Sequence, residues 1–400
     1  MTLDDLINDW NGLPVEGERM PLLNDETLRD GLQSPSVRDP DIAAKRDLTH
    51  RLARLGVDAL DLGMPGAGPK ALAAVRALLV EIRDHRLPLS PNVAVRTIEA
   101  DLAQVAEIQQ RAGIPLEAGA FLGSSPIRMD VEGWNLAFLV DTARKAVAFC
   151  RRNQVPVMMV TEDSTRAQPE VLKAIYGAAL DEGAQSICLS DTCGHATPDG
   201  VRRLVRFIKD EVIKDRKVRI DWHGHNDRGL GLANAIAAFE AGADRLHGSI
   251  LGIGERCGNV ALDQLMINLH LMGYPKGDLS DLPALADRVA ELCDVEIPAN
   301  YPVLGRDAFR TGTGVHAAAI VKALHRGDVE LADAVYSGVP AALVGRRQEI
   351  EIGPMAGHSN VVYWLEMNGY DPSAERVDRI LRTAKNSPRI LSEAEIRAVL

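Results

Sequence analysis

Three short segments concentrate the residue types that do chemistry. The first is His223-Gly224-His225-Asn226-Asp227, at the end of the apolar alternation VRIDWHGHND (218–227). In an extended strand, residues i and i+2 point the same way. His223 and His225 therefore share a face and could offer two imidazole nitrogens to one metal ion. Taken alone, the pair fits two packed or hydrogen-bonded strand histidines equally well. The second segment, DETLRDGLQ (25–33), closes an earlier apolar run. Asp30 is a hard oxygen ligand in type, and Arg29 beside it could stabilise a developing oxyanion; a solvated ion pair is the plainer reading. The third, GIGERCGN (252–259), places three glycines within seven residues. Such a loop lets backbone approach a ligand closely, or simply makes a tight turn.

These segments need elements to hold them. Apolar, β-branched runs recur at 21–28, 58–63, 89–95, 116–123, 155–163, 186–192, 218–227 and 245–254. Between them lie stretches with helical spacing. In DIAAKRDLTHRLARLG, for example, Ile42, Leu48, Leu52 and Leu55 recur near a 3.6-residue period. Eight strand–helix pairs over about 250 residues predict a (β/α)8 barrel in residues 1–275. An open doubly wound sheet is the rival. The polar residues cluster at many strand ends, not at one switch point, and no G-x-G-x-x-G follows the first strand. In a closed barrel the first, seventh and eighth strands are neighbours. Asp30, His223, His225 and Asn259 then converge as two nitrogen and two oxygen ligands for one divalent ion. Residues 276–400 read as a smaller, mainly helical region.

Composition narrows the partners. The 400 residues are 46% apolar and 25% charged, with a formal charge of −11. That balance argues against nucleic acid or an anionic membrane as partner. The apolar runs are too short and too broken by charge and proline to span a bilayer. The acidic start, MTLDDLINDWNG, does not read as a secretory leader. Five cysteines without a C-x-x-C spacing predict neither a disulfide framework nor a zinc–thiolate site, and point to a reducing cytoplasm.

The sequence resembles the 2-isopropylmalate synthase and homocitrate synthase family, within the metal-dependent superfamily that includes 3-hydroxy-3-methylglutaryl-CoA lyase. The family pattern D-T-T-L-R-D-G-x-Q stands here as DETLRDGLQ, H-x-H-N-D as HGHND, N-G-I-G-E-R-A-G-N as LGIGERCGN, and D-T-x-G-x-x-x-P as DTCGHATP (191–198). Beyond the barrel, H-E-S-G-I-H becomes TGTGVH (311–316), which keeps only His316. The resemblance implies a divalent ion (Mg, Mn or Zn) held by Asp30, His223 and His225, with Asn259 a further ligand or near-ligand. Arg29 matches the arginine beside the metal. Arg166 and Thr192 match positions that hold the 2-oxo acid carboxylate, and Gln33 borders the same pocket. Asp221 faces the pocket in place of an acidic residue, usually Glu, implicated in proton transfer. Asp61 stands where the superfamily usually has Glu. His316 matches the catalytic histidine of the second domain, and Tyr336 a tyrosine near it.

The implied reaction is condensation of an acyl-CoA thioester, in the first instance acetyl-CoA, with a 2-oxo acid, followed by thioester hydrolysis. The enzyme would then be a homodimer in which His316 completes the partner's site. The length leaves no room for the regulatory domain of leucine-inhibited members, so leucine is not expected to inhibit. Cleavage of a 3-hydroxyacyl-CoA is the alternative within catalysis, though the lyase setting G-G-C-P is absent. A non-catalytic barrel that senses a metal or an acyl thioester is the more remote alternative.

Overall fold

The computed structural model describes residues 6–8, 10–11 and 19–400. Eight parallel strands close into a barrel in sequence order: β1 (Leu22–Asp25), β2 (Ala59–Asp61), β3 (Ser90–Arg96), β4 (Glu117–Gly123), β5 (Val157–Glu162), β6 (Ser186–Asp191), β7 (Arg219–Gly224) and β8 (Arg245–Gly248). Seven fall inside the apolar runs named above, and β3 overruns its own by one residue, Arg96. Strands walled in on both faces read as nearly continuous buried segments, and all six residues of β6 are buried. Closure is made by β1 against β8, with Leu22 opposite Arg245 and Asp25 opposite Gly248. It brings the loops after β7, β8 and β1 to one rim, as the barrel expectation requires.

The covering helices are amphipathic and capped. In Ile42–Leu55 the Asp41 side chain accepts from Ala44 N at 2.8 Å, Leu48, Leu52 and Leu55 are buried, and Gly56 ends the helix at φ 88°. Ile42, expected on the apolar stripe, is 38% exposed, because it sits at the first helical position, ahead of the packed turns. The stretch GVRRLVRFIKDEVI (200–213) lies in a helix that starts two residues earlier, Pro198–Phe207, and then widens to a π-turn over Ile208–Ile213.

The chain forms two compact units. The barrel unit takes residues 19–278 and also Ala284–Glu296, a stretch the sequence pattern assigns to the C-terminal region. Side chains explain the assignment. Arg38 donates to the carbonyls of Glu291 and Leu292, its backbone N to that of Cys293, and Arg288 pairs with Asp47. The other unit holds Leu279–Pro283 and Ile297–Leu400. It is mainly helical, with a two-stranded parallel pairing of Arg310–Thr311 and Glu349–Ile350. One of its apolar clusters centres on Val361, Leu365, Val377 and Ile380, and another on Ala317, Ile320 and Val321. Among the described residues no helix is long and apolar enough to cross a membrane.

Candidate active site

Alternation along β7 sends Arg219, Asp221 and His223 into the barrel, and β8 adds Arg245 and His247. These side chains stack along the barrel axis. Arg219 and Arg245 grip Glu117 and Asp221 at the N-terminal end. The next link is His247, whose Nε2 lies 2.9 Å from Asp221 Oδ2 and whose Nδ1 lies 2.9 Å from Glu26 Oε1. Glu26 Oε2 in turn lies 2.7 Å from His223 Nδ1. At the C-terminal end, where barrel enzymes place their chemistry, His223, His225 and Asp30 meet.

Their geometry fits a metal ion. His223 Nε2 and His225 Nε2 are 3.2 Å apart, and each is 3.6 Å from Asp30 Oδ2. Two nitrogens about 2.1 Å from one ion, at octahedral or tetrahedral angles, stand about 3.0–3.4 Å apart. Three buried polar atoms here also lack a hydrogen-bond partner: Asp30 Oδ1, His225 Nδ1 and Asn259 Oδ1. The two oxygens are unpartnered buried acceptors, which are costly unless something such as an ion satisfies them; His225 Nδ1 carries the N–H when Nε2 is the ligand. Burial, and then the neighbouring His223, hold His225 down at about 4, so it stays neutral and able to ligate. Asn259 reaches the site because the chain after β8 doubles back along the end of β7. Asn226 N donates to Gly258 O at 2.9 Å and Val260 N to Gly224 O at 3.1 Å. The glycines of this loop serve the turn: Gly258 sits at φ 86°, and a Cβ there would overlap the Gly252 carbonyl oxygen.

Arg29 ties the site's acids together. Its Nε donates to Asp61 at 2.8 Å, Nη1 to Asp30 at 2.9 Å and Nη2 to Glu26 at 2.8 Å. Burial opposes ionisation of Glu26, but Arg29, His223 and His247 override it and hold its carboxyl well below the usual range. For Asp61 burial wins, and despite Arg29 the carboxyl rises to about 6. A cavity of about 360 Å³ opens above, lined by Arg29, Gln33, Asp61, Met64, Phe121 and Thr192 as well as by the histidines.

Several expected residues lie elsewhere. Asp221 does not face the cavity. It is wholly buried one layer below, and the guanidinium groups of Arg245 and Arg219 keep it ionised against the cost of burial. A methylene shorter than Glu, it is committed to ion pairs with Arg219 and Arg245 and meets the cavity only through His247. Arg166 is not part of the cavity wall. Asp163 engages it through both carboxylate oxygens, at 2.7–3.0 Å, and Cys193 Sγ lies 3.0 Å away. Thr192 lines the cavity while its hydroxyl accepts from Asp163 N at 2.8 Å. In the C-terminal unit, His316 and Tyr336 are exposed and stack with ring centroids 4.0 Å apart.

Sequence reasoning missed Glu26 and His247. The available signal was a Glu where the quoted family pattern has Thr. His247 carried no motif, and only the closure of β8 on β1 reveals it.

A family model described as HMGL-like matches residues 21–289. A 2-isopropylmalate synthase from Pyrococcus abyssi is 30% identical over 94% of this chain and 76% of its own length. One from Lactococcus lactis subsp. cremoris is 28% identical over 94% and 72%. A hydroxymethylglutaryl-CoA lyase from Pseudomonas aeruginosa shares the fold, with a TM-score of 0.57 and 21% identity over 68% of this chain and 93% of that one. Together with the closed barrel and its matching strand-end motifs, these similarities place the chain in the HMGL-like family.

Proposed function

We propose that this protein is an acyltransferase that condenses acetyl-CoA, or a related acyl-CoA, with a 2-oxo acid and hydrolyses the thioester to a 2-hydroxy dicarboxylate and CoA. The observation that carries the reading is the convergence of His223, His225, Asp30 and the unpartnered Asn259 oxygen beside Arg29, on the floor of an open cavity. Asp30, His223 and His225 would hold a divalent ion, with Asn259 at its edge; the mixed set of imidazole and oxygen ligands admits Mg, Mn or Zn. Bound there, such an ion supplies Lewis-acid polarisation of the 2-oxo group.

The chain's own residues do the rest. Arg29 has five N–H groups and gives three to Asp61, Asp30 and Glu26. The remaining two are free to meet the alkoxide charge that develops as the new carbon–carbon bond forms. Thr192 and Gln33 border the 2-oxo acid. His316 is the base that takes the methyl proton of the thioester, with Tyr336 stacked on it to hold the ring. Asp221 has no part in that transfer. In this reading the protein is a homodimer, the commonest symmetric assembly, and each His316 serves the partner's barrel.

The test is a thiol-release screen of acetyl-CoA against a panel of 2-oxo acids, with Mg²⁺, Mn²⁺ or Zn²⁺ added. Free CoA should appear in step with a 2-hydroxy dicarboxylate. Release of acetyl-CoA from a 3-hydroxyacyl-CoA, with no condensation, would instead establish the cleavage reaction.

A further inference from the structure

The carboxylate of Glu26 is the least expected feature of the barrel interior. It is 2% exposed and carries three hydrogen bonds on two oxygens. Oε1 accepts from Arg29 Nη2 at 2.8 Å and faces His247 Nδ1 at 2.9 Å; Oε2 faces His223 Nδ1 at 2.7 Å. His247 is anchored on its far side by Asp221 at 2.9 Å. The carboxylate is thus held from three directions and has no room to turn.

An ionised carboxylate only accepts hydrogen bonds. The ring nitrogen of His223 that faces it must therefore carry the proton. That leaves Nε2 with its lone pair, directed at Asp30 and His225. His225 has no such partner, because its Nδ1 is unpaired. Glu26, His223 and His247 are also close enough to hold an ion among themselves. A cation there would need the two Nδ1 atoms that now hydrogen-bond Glu26 and would sit beside the Arg29 guanidinium, so the ion belongs on the Nε2 side of His223.

We propose that Glu26 is a positioning residue that fixes His223 as its Nδ1–H tautomer and aims the Nε2 lone pair at the metal position. The proposal rests on the reading of Asp30, His223 and His225 as metal ligands. The family pattern quoted above has Thr at this position, so the carboxylate is a feature of this sequence, and His247, with Arg29, is what keeps it in place. Partners of this kind raise ligand basicity and fix ring orientation, and their loss costs about 10–100-fold in metal affinity.

Two measurements on the full chain test it. In metal-free wild-type protein, long-range ¹H–¹⁵N spectra of the imidazoles, with His223 assigned through His223→Gln, should show a protonated Nδ1 and a bare Nε2. Titration calorimetry with Mn²⁺ should give one site in the wild type. Glu26→Gln and Glu26→Thr should bind about 10–100-fold more weakly at the same stoichiometry, and His223 should lose its single tautomer. Mn²⁺ affinity within twofold of wild type in Glu26→Gln would overturn the proposal, as would an Nε2–H tautomer in the wild type. The wild-type spectrum decides even if neither variant folds. A wild type that binds no Mn²⁺, Mg²⁺ or Zn²⁺ while His223 shows the Nδ1–H tautomer would refute the metal-site reading itself and leave Glu26 as the residue that orients the ring.

Discussion

Replacing Arg29 with Met should destabilise the metal-free barrel by about 3–5 kcal/mol at pH 8, the range for removing one partner of a buried ion pair. Arg29 makes three charge-assisted hydrogen bonds at 2.8, 2.9 and 2.8 Å, to carboxylates whose side chains are 3–4% exposed. At about 1.5–3 kcal/mol each, their gross value of about 4.5–9 kcal/mol lies mostly above the expected loss. The difference is recovered because the orphaned acids can take up protons and because the site opens to the cavity. The pH dependence separates this mechanism from simple loss of packing. With Arg29 present, Asp30 and Glu26 are held below their ordinary range. Groups depressed in this way add stability above their unfolded pKa and lose it only as pH falls through the folded one. In the Met variant these carboxyls rise, so its native state gains protons on acidification. The gap from wild type should therefore narrow by about 1 kcal/mol or more between pH 8 and pH 5. Urea unfolding followed by far-ultraviolet circular dichroism, on chelator-treated protein at both pH values, measures the gap. A loss under 1 kcal/mol at pH 8, or a penalty that grows on acidification, would refute the account of Arg29 as the clamp of three buried acids.

Three further outcomes are expected. Asp30→Asn and His223→Ala should lower bound divalent metal and turnover together, read by elemental analysis and CoA release; full turnover in chelator-treated wild type would exclude a metal role. Burial lifts Asp25 on β1 from 3.8 to about 7, and a raised carboxyl stabilises the fold below its unfolded pKa and loses that contribution as pH rises through the folded one. Asp25→Asn should thus remove up to about 4 kcal/mol of the stability decline between pH 4 and pH 8, visible as a flatter curve of unfolding midpoint against pH; an unchanged slope would show that Asp25 does not titrate there. Refolded together, the inactive Asp30→Asn and His316→Ala chains should recover up to about a quarter of wild-type activity, since half the dimers are mixed and one of their two sites is intact; no recovery in proven mixed dimers would mean that His316 acts in its own chain or not at all.

The fold was legible in the sequence because a barrel strand buried on both faces leaves an apolar run, and eight such runs alternate here with helical periods. The proposed ligand set was legible for a related reason: Asp30, the His223–His225 pair and Asn259 each sit in a short segment at a strand end, where the i, i+2 rule and the order of strands suffice to bring them together. What the sequence could not determine was how the inward-facing charges divide among themselves. Asp221 shares its strand face with His223, yet β8 brings Arg245 against it, and β4 brings Glu117 to both arginines, so it becomes an ion-pair anchor below the site. Arg166 has the right type for a carboxylate ligand but finds Asp163 three residues away. Glu26 and His247 lie 221 residues apart and meet only because the barrel closes β1 on β8. Local pattern sets which face a side chain takes; which partner it meets across the barrel axis depends on long-range register, and in a low-dielectric interior that partner decides its charge and its role.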